Sequence, residues 1–252
     1  LAPKPEKMAS SKRVRLDKLL VDSGYFDSRQ RAQRAILAGD ILVAERVFDK
    51  PGSLVQPDAP IRVVAPERYV SRGGYKMEAA LDRFGIDPAG RRCLDVGAST
   101  GGFTDCLLQR GASEVVAVDV GHNQLAWKIR SDPRVKVFEG INARFLPGEL
   151  LSKNFSLAVA DVSFISLTLV LGPIFECLEE TGEIVVLIKP QFELDAKRVD
   201  KGGVVRNAVN RAAAVEKIQN FVTGSLGRQW LSVIESPILG TKGNQEFLAW
   251  LR

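Results

Sequence analysis

The chain has 252 residues, 45% of them hydrophobic, and a formal net charge of +5, which suits one large domain, or a medium domain with a small one, able to bury a real core. No apolar run approaches the roughly 20 residues of a membrane-spanning helix, and no secretory leader is visible. Cys93, Cys106 and Cys177 are scattered; they form neither a metal spacing nor a disulfide framework, which predicts a reducing, cytoplasmic setting and no metal.

In chain order, Met8-Ala9-Ser10-Ser11-Lys12-Arg13 reads as a native start, and residues 1–12 are set aside as a foreign or unstructured leader. Residues 13–65 read as a small module. Val14, Leu16, Leu19, Leu20 and Val21 space out a short amphipathic helix ending near Gly24. Ser28 suits the N-cap of a second helix through Ala38, with Gly39 as its stop. Strands are expected at 41–47 and 61–64, around a turn at Lys50-Pro51-Gly52. Basic residues crowd this module: Lys12, Arg13, Arg15, Lys18, Arg29, Arg31, Arg34 and Arg46. Arg31 and Arg34 share one face of the second helix, opposite Ala32, Ala35, Ile36 and Leu37. Such a face suits phosphate contact or is simply a solvated charged face. The order of Arg15-Leu16-Asp17-Lys18-Leu19-Leu20, Ser28-Arg29-Gln30-Arg31-Ala32 and Ala38-Gly39-Asp40-Ile41-Leu42-Val43 resembles the ribosomal protein S-four-like RNA-binding module. That resemblance implies that Arg13, Arg15, Lys18, Arg29, Arg31 and Arg34 meet RNA.

A linker is expected over 66–72, then an α/β domain over 73–252. Strands at 92–96, 114–119, 135–139, 156–161, 183–188, 231–236 and 246–251 alternate with helices after Gly74, Gly101, Leu167 and Asn207, the pattern of a doubly wound, mostly parallel Rossmann-like sheet. The helix from Ala208 to about Thr223 is the clearest, with Ala212, Val215, Ile218 and Phe221 or Val222 expected on one side.

The first of these strands runs into a glycine-rich turn, Leu94-Asp95-Val96-Gly97-Ala98-Ser99-Thr100-Gly101-Gly102-Phe103-Thr104-Asp105. Small residues there let a ligand approach the backbone, so Asp95, Gly97, Ala98, Ser99, Thr100, Gly101, Gly102 and Phe103 are candidate cofactor residues. Ser99 stands where the dinucleotide fingerprint has its second glycine. A carboxylate at Asp95 opposes a pyrophosphate and suits a cationic ligand, which favours S-adenosylmethionine over NAD. Asp119 ends the next strand about twenty residues on, where an acid accepts hydrogen bonds from ribose hydroxyls; a turn aspartate is the alternative. Asn142 could meet the adenine edge or be a turn residue. His122, the one histidine, reads as a loop residue at the cofactor rim.

Two later strands end in Asp161 and Lys189, and ligands in open α/β sheets bind outside the carboxyl ends of strands. Desolvation at a buried strand end favours a neutral lysine, so Lys189, fixed by Pro190, is a candidate base; a snorkelling charge and, for Asp161, a helix cap are the alternatives. Here the resemblance widens. Ser71-Arg72-Gly73-Gly74-Tyr75-Lys76, the Asp95 loop, Ala160-Asp161-Val162-Ser163-Phe164, Ile188-Lys189-Pro190-Gln191-Phe192-Glu193, Ser236-Pro237-Ile238 and Gly243-Asn244-Gln245-Glu246-Phe247 resemble the TlyA family. That family joins an S-four-like module to an FtsJ-type methyltransferase domain and is often called hemolysin. The resemblance implies a seven-stranded class I methyltransferase sheet, S-adenosylmethionine as cofactor, ribosomal RNA or subunits as partner, and 2′-O-methylation of ribose, with cytidine as target. It implies a tetrad of Lys76, Asp161, Lys189 and Glu246, although Lys76 and Glu246 taken alone read as ordinary surface charges. Lys189 would deprotonate or orient the 2′-hydroxyl, Asp161 would hold Lys189 beside the cofactor, and Lys76 and Glu246 would complete the hydrogen-bond network. Arg72 joins the implied RNA contacts. Asn142 stands where the family has an acid. A non-catalytic RNA-binding protein is disfavoured by the intact tetrad and loop. A membrane-lytic protein would need a spanning or strongly amphipathic stretch, which is missing. An oxidoreductase is disfavoured by Asp95 and Ser99.

Overall fold

A computed structural model describes residues 12–64, 67–146 and 154–252; leader residues 1–11, the module's last residue Ala65 and the linker residue Pro66 lie outside the described residues. The chain divides into two compact units, Leu1–Arg68 and Tyr69–Arg252.

In the first unit β1 (Val14–Arg15) leads into α1 (Leu16–Asp22) and α2 (Arg29–Leu37), followed by β2 (Ile41–Val43), β3 (Arg46–Val47), β4 (Leu54–Val55) and β5 (Ile61–Val63). Ser28 caps α2 by accepting from Arg31 N. Leu16, Leu19, Leu20, Ala32, Ile36, Ile41, Val43 and Val55 pack into one core under the two helices. The single strand expected over 41–47 is instead a hairpin, with Leu42 opposite Val47 and Val43 opposite Arg46. Its tip, Ala44-Glu45, has φ of 49° and 61°, the left-handed conformation of a two-residue primed turn. Asn-Gly and Asp-Gly announce such turns and Ala-Glu does not, so nothing in the sequence interrupts the run. Strand β1, paired with β4, is too short to show a period.

The second unit is built on a sheet of seven strands. Helix α3 (Gly73–Phe84) precedes β6 (Arg92–Val96), α4 (Gly102–Gln109), β7 (Glu114–Asp119), α5 (Trp127–Arg130), β8 (Val135–Glu139) and β9 (Phe155–Ala160). Then come α6 (Leu171–Glu176), β10 (Leu178–Ile188), α7 (Pro190–Glu193), α8 (Ala208–Asn220), β11 (Trp230–Glu235) and β12 (Phe247–Leu251). The spatial order is β11-β12-β10-β9-β6-β7-β8. Strands β8, β7, β6, β9 and β10 are mutually parallel, whereas β12 runs antiparallel to both β10 and β11. The central strands are apolar along their length because both faces are covered. Alternate residues serve two cores. Leu94, Val96, Val116, Val118, Ala160 and Ile188 meet α6, α8 and the turn that follows α8 through Leu171, Ile174, Ile218 and Val222. Cys93, Val115, Ala117, Val159, Leu187 and Leu248 meet α3 and α4 through Met77, Leu81, Cys106 and Leu107.

Some boundaries differ from expectation. The helix expected after Leu167 starts as a 3₁₀ turn, Leu167–Leu169, before α6. Helix α8 ends at Asn220 and widens into a π turn, Phe221–Ser225. Its buried stripe is Ala214, Ile218 and Val222, with Ala212 exposed, because positions four apart stack on one face of a helix. Strand β10 begins at Leu178, and its register against β9 shifts between Leu178 and Glu183.

Candidate active site

The switch point of the sheet lies between β6 and β9, where the strand order reverses and the carboxyl ends open a crevice. Asp161 follows β9 and its N–H bonds to the Val96 carbonyl of β6 (3.0 Å). Gly97 has φ of 82°, and a Cβ there would lie 2.5 Å from the Asp161 carbonyl oxygen, so only glycine lets the loop pass so close. Gly102 opens α4 against the start of α3: a Cβ on it would lie 2.2 Å from Ser71 Oγ. That close approach brings Ser71, Arg72, Gly73 and Lys76 to the loop.

Two adjoining cavities share Gly97, Ser99, Asp161 and Ser163 as walls. The larger, about 440 Å³, is lined by Asp119, Gln124 and Asn142 with the apolar Val96, Val118, Ile141 and Val162. Asp119 accepts from Ser99 N (2.8 Å) and Gly121 N (2.7 Å), which ties the loop to the end of β7. Asn142 caps the turn Ala143–Phe145, accepting from Arg144 N (3.0 Å). His122 is exposed and packs beside Gly140, two residues before Asn142. The smaller cavity, about 260 Å³, is lined by Ala98, Thr100, Gly102, Phe103, Arg72, Lys76 and Lys189.

Asp95 and Gly101 line neither cavity. Asp95 is fully buried beneath the loop, where Thr104 donates to one carboxylate oxygen (2.6 Å) and the other has no hydrogen-bond partner among the described residues. Burial pushes the Asp95 carboxyl up to about 7; the Thr104 hydrogen bond opposes the rise, and the charges of Asp161 and Asp119 add to it. Between its ordinary value of 3.8 and about 7 the folded chain holds a proton here that the unfolded chain has released. The contribution of Asp95 to stability therefore falls as pH rises through that window, by up to about 1.4 kcal/mol per pH unit. Asp95→Asn removes this slope. Urea unfolding at pH 5 and pH 8 checks it: the variant gains stability relative to the native chain at the higher pH, and an equal difference at both would refute the assignment.

Opposite the loop, two lysine–carboxylate pairs converge. Lys189 Nζ lies 2.6 Å from Asp161 Oδ1 and donates to Ser163 Oγ (2.7 Å). Lys76 donates to Glu246 Oε2 (2.5 Å), and this pair is almost fully buried. Glu246 reaches the crevice because β12 is reversed: Phe247, which starts it, faces Ile188, the last residue of β10. Lys76, Asp161 and Lys189 line the smaller cavity, and Lys189 and Glu246 line a neighbouring one of about 270 Å³. All four members of the implied tetrad therefore sit around one crevice.

Two supporting residues were not singled out from the sequence. Ser163 holds Lys189, and nothing about a lone serine marks it. Asn244 is buried; its Oδ1 accepts from Val205 N (2.9 Å) and its Nδ2 donates to Gly203 O (2.8 Å), which fastens the Gly202-Gly203 turn beside Glu246. In the first unit the candidate RNA-contacting residues separate into two sets. Arg15 and Arg29 both bind the buried Asp17, whereas Arg31 and Arg34 line an open groove with Tyr25 and Asp40. Arg13 and Lys18 are exposed.

Residues 69–252 match the FtsJ-like methyltransferase family. The chain belongs to that family. Residues 14–61 match the S4 domain. The 16S/23S rRNA (cytidine-2′-O)-methyltransferase TlyA of Mycobacterium tuberculosis is 45% identical over 244 residues, covering 96% of this chain and 91% of its own. Hemolysin A of Brachyspira hyodysenteriae is 44% identical over 241 residues, covering 94% and 98%. Among solved structures, a Streptococcus thermophilus protein carrying the hemolysin name superposes with a TM-score of 0.72 at 39% identity, covering 96% of this chain and 89% of its own. The Burkholderia thailandensis 1,6-didemethyltoxoflavin-N1-methyltransferase, at 18% identity and a TM-score of 0.50, shares the methyltransferase fold alone. Among the described residues no helix is long and apolar enough to cross a membrane.

Proposed function

We propose that this FtsJ-like enzyme transfers a methyl group from S-adenosylmethionine to the 2′-hydroxyl of a ribose in ribosomal RNA, with cytidine as the target nucleoside. The observation that carries the reading is the meeting of Lys189–Asp161 and Lys76–Glu246 beside a glycine-opened loop. The 45% identity to a rRNA (cytidine-2′-O)-methyltransferase over nearly the whole chain supports the choice of acceptor.

The residues present fit the cofactor. The larger cavity is in the size range of nucleoside sites and mixes apolar walls with a few polar groups. Asp119 and Asn142 would hold the adenosine half; Gly97, Ser99 and Gly102, which line the adjoining cavity, would face the rest. Asp95, carrying partial negative charge below the loop at neutral pH, favours a cationic group there over a phosphate. When bound, S-adenosylmethionine supplies an electrophilic methyl group on a sulfonium. The protein's own work is positional and electrostatic. Asp161 and Ser163 aim the Lys189 ammonium at the acceptor side, where it would hold the 2′-oxygen and stabilise the negative charge that develops as the hydroxyl proton passes to solvent water. Lys76 and Glu246 supply a second, water-poor pair of donor and acceptor on the same wall. The test is incorporation of labelled methyl from S-adenosylmethionine into undermethylated ribosomal subunits and into naked ribosomal RNA. Ribose-linked label is expected in at least one, and none in either would refute the proposal.

A further inference from the structure

A third cavity, of about 270 Å³, adjoins Lys189 and Glu246 but is lined by none of the glycine-loop residues 95–103. It therefore lies on the acceptor side of the tetrad, apart from the two cavities that suit the cofactor. It is smaller than the roughly 300–1,000 Å³ of a drug-sized ligand site, so it suits a single ring rather than a whole nucleotide. Phe192 and Val199 give it apolar walls.

Most of its polar groups are committed. Lys189 holds Asp161 and Ser163, and Glu246 accepts from Lys76. Asn244 uses both ends of its amide: Oδ1 accepts from Val205 N, and Nδ2 donates to the carbonyls of Gly203 and Thr241. The Thr241 hydroxyl also lines the cavity, but a hydroxyl rotates to donate or accept and so distinguishes little. Gln191 is different. It lines the same cavity, and its Oε1 is shut off from water with no hydrogen-bond partner among the described residues. An acceptor left in that state costs free energy that a partner N–H would recover. Gln191 stands two residues after Lys189, at most about 7 Å of backbone, and Pro190 between them opens α7. A ribose held at Lys189 therefore brings its own base within reach of this amide.

We propose that this cavity takes the base of the acceptor nucleotide and that Gln191 selects cytosine there, its Oε1 accepting from the exocyclic N4 amine. The proposal rests on the reading that a cytidine ribose is methylated, and it deepens that reading. Cytosine presents N4–H₂ as a donor, where uracil, like thymine, presents the O4 acceptor. With uracil in the cavity two acceptors face each other until the amide turns over. A site built to pair one polar group rejects the analogue that lacks it, because its own buried group is then left unpaired.

The experiment measures kcat/KM for methyl transfer to undermethylated ribosomal subunits carrying either cytidine or uridine at the modified position. Binding of the full chain to short oligocytidylate and oligouridylate is measured alongside. The native chain is expected to favour cytidine by about 5- to 150-fold, the range for one good base contact, and to bind oligocytidylate the more tightly. Gln191→Met, similar in size but without the acceptor, is expected to bring both preferences close to unity. Gln191→Glu keeps an acceptor oxygen and is expected to retain them. A ratio cancels losses of folding or turnover common to both substrates, so a merely structural role for Gln191 leaves it unmoved. A native-like preference in Gln191→Met, its loss in Gln191→Glu, or a native chain indifferent to the base would overturn the assignment. A native chain that transfers no methyl group yet prefers oligocytidylate through Gln191 would sink the methyl-transfer reading and leave base selection standing. No transfer and no preference would sink both.

Discussion

Lys189→Ala is expected to lower ribose methylation by about 10²–10⁴-fold, the range for removing a positioned proton-transfer or charge-stabilising group, while the protein stays folded. Lys189 stands at the end of β10, held by Asp161 and Ser163, with its amine at the wall of the cavity. No other lysine takes its place: Lys76, which shares that cavity, is committed to Glu246. Removing Lys189 leaves Asp161 with a side chain still 26% exposed, so water can solvate the carboxylate and the stability loss is small. Cofactor affinity should change far less than turnover, because Gly97, Ser99 and Asp119 are untouched. Single-turnover methylation with saturating S-adenosylmethionine measures the effect, and a rate within threefold of the native chain would remove Lys189 from the chemistry.

Glu246→Ala is expected to act through stability as well as rate. The Glu246 and Lys76 side chains are only 3% and 11% exposed, and removing one partner strands the other charge out of water. Breaking such a pair costs about 3–5 kcal/mol, which for a chain of this size lowers the thermal midpoint by about 6–20 °C. The double variant Lys76→Met/Glu246→Leu recovers much of that stability by removing both charges, yet stays inactive if the pair serves the reaction. Thermal melts of the single and double variants, read beside methylation rates, separate the two roles. A midpoint within 2 °C of the native value for Glu246→Ala would show that the pair is not the buried contact described above.

The contrast between these lysines shows what a sequence can and cannot disclose. Asp119, Asp161 and Lys189 were legible because each closes an apolar run, and parallel strands bring their carboxyl ends to one edge of a sheet. The loop at Gly97 was legible for the same reason. Glu246 was not, because it precedes its strand; it reaches the crevice only because β12 is reversed and Phe247 pairs with Ile188. Lys76 lies within a helix, and its burial depends on how α3 meets α4 across Gly102. From residues alone both were surface charges, and resemblance to a family supplied their role. Asp17 was missed for a related reason: in the first turn of an amphipathic helix an acid reads as solvated, and only the folded unit shows three side chains converging on it. The hairpin at Ala44-Glu45 escaped because its strained turn carries none of the residues that ease such strain.

Methyl transfer to a cytidine ribose can be read from the modified nucleotide itself. Undermethylated ribosomal subunits are treated with the protein and S-adenosylmethionine, the RNA is digested, and the products are read by mass spectrometry. A methyl group is expected on the ribose 2′-oxygen of cytidine, absent when Lys189→Ala is used. Methylation on a base instead of a ribose, or equal ribose methylation by Lys189→Ala, would contradict it.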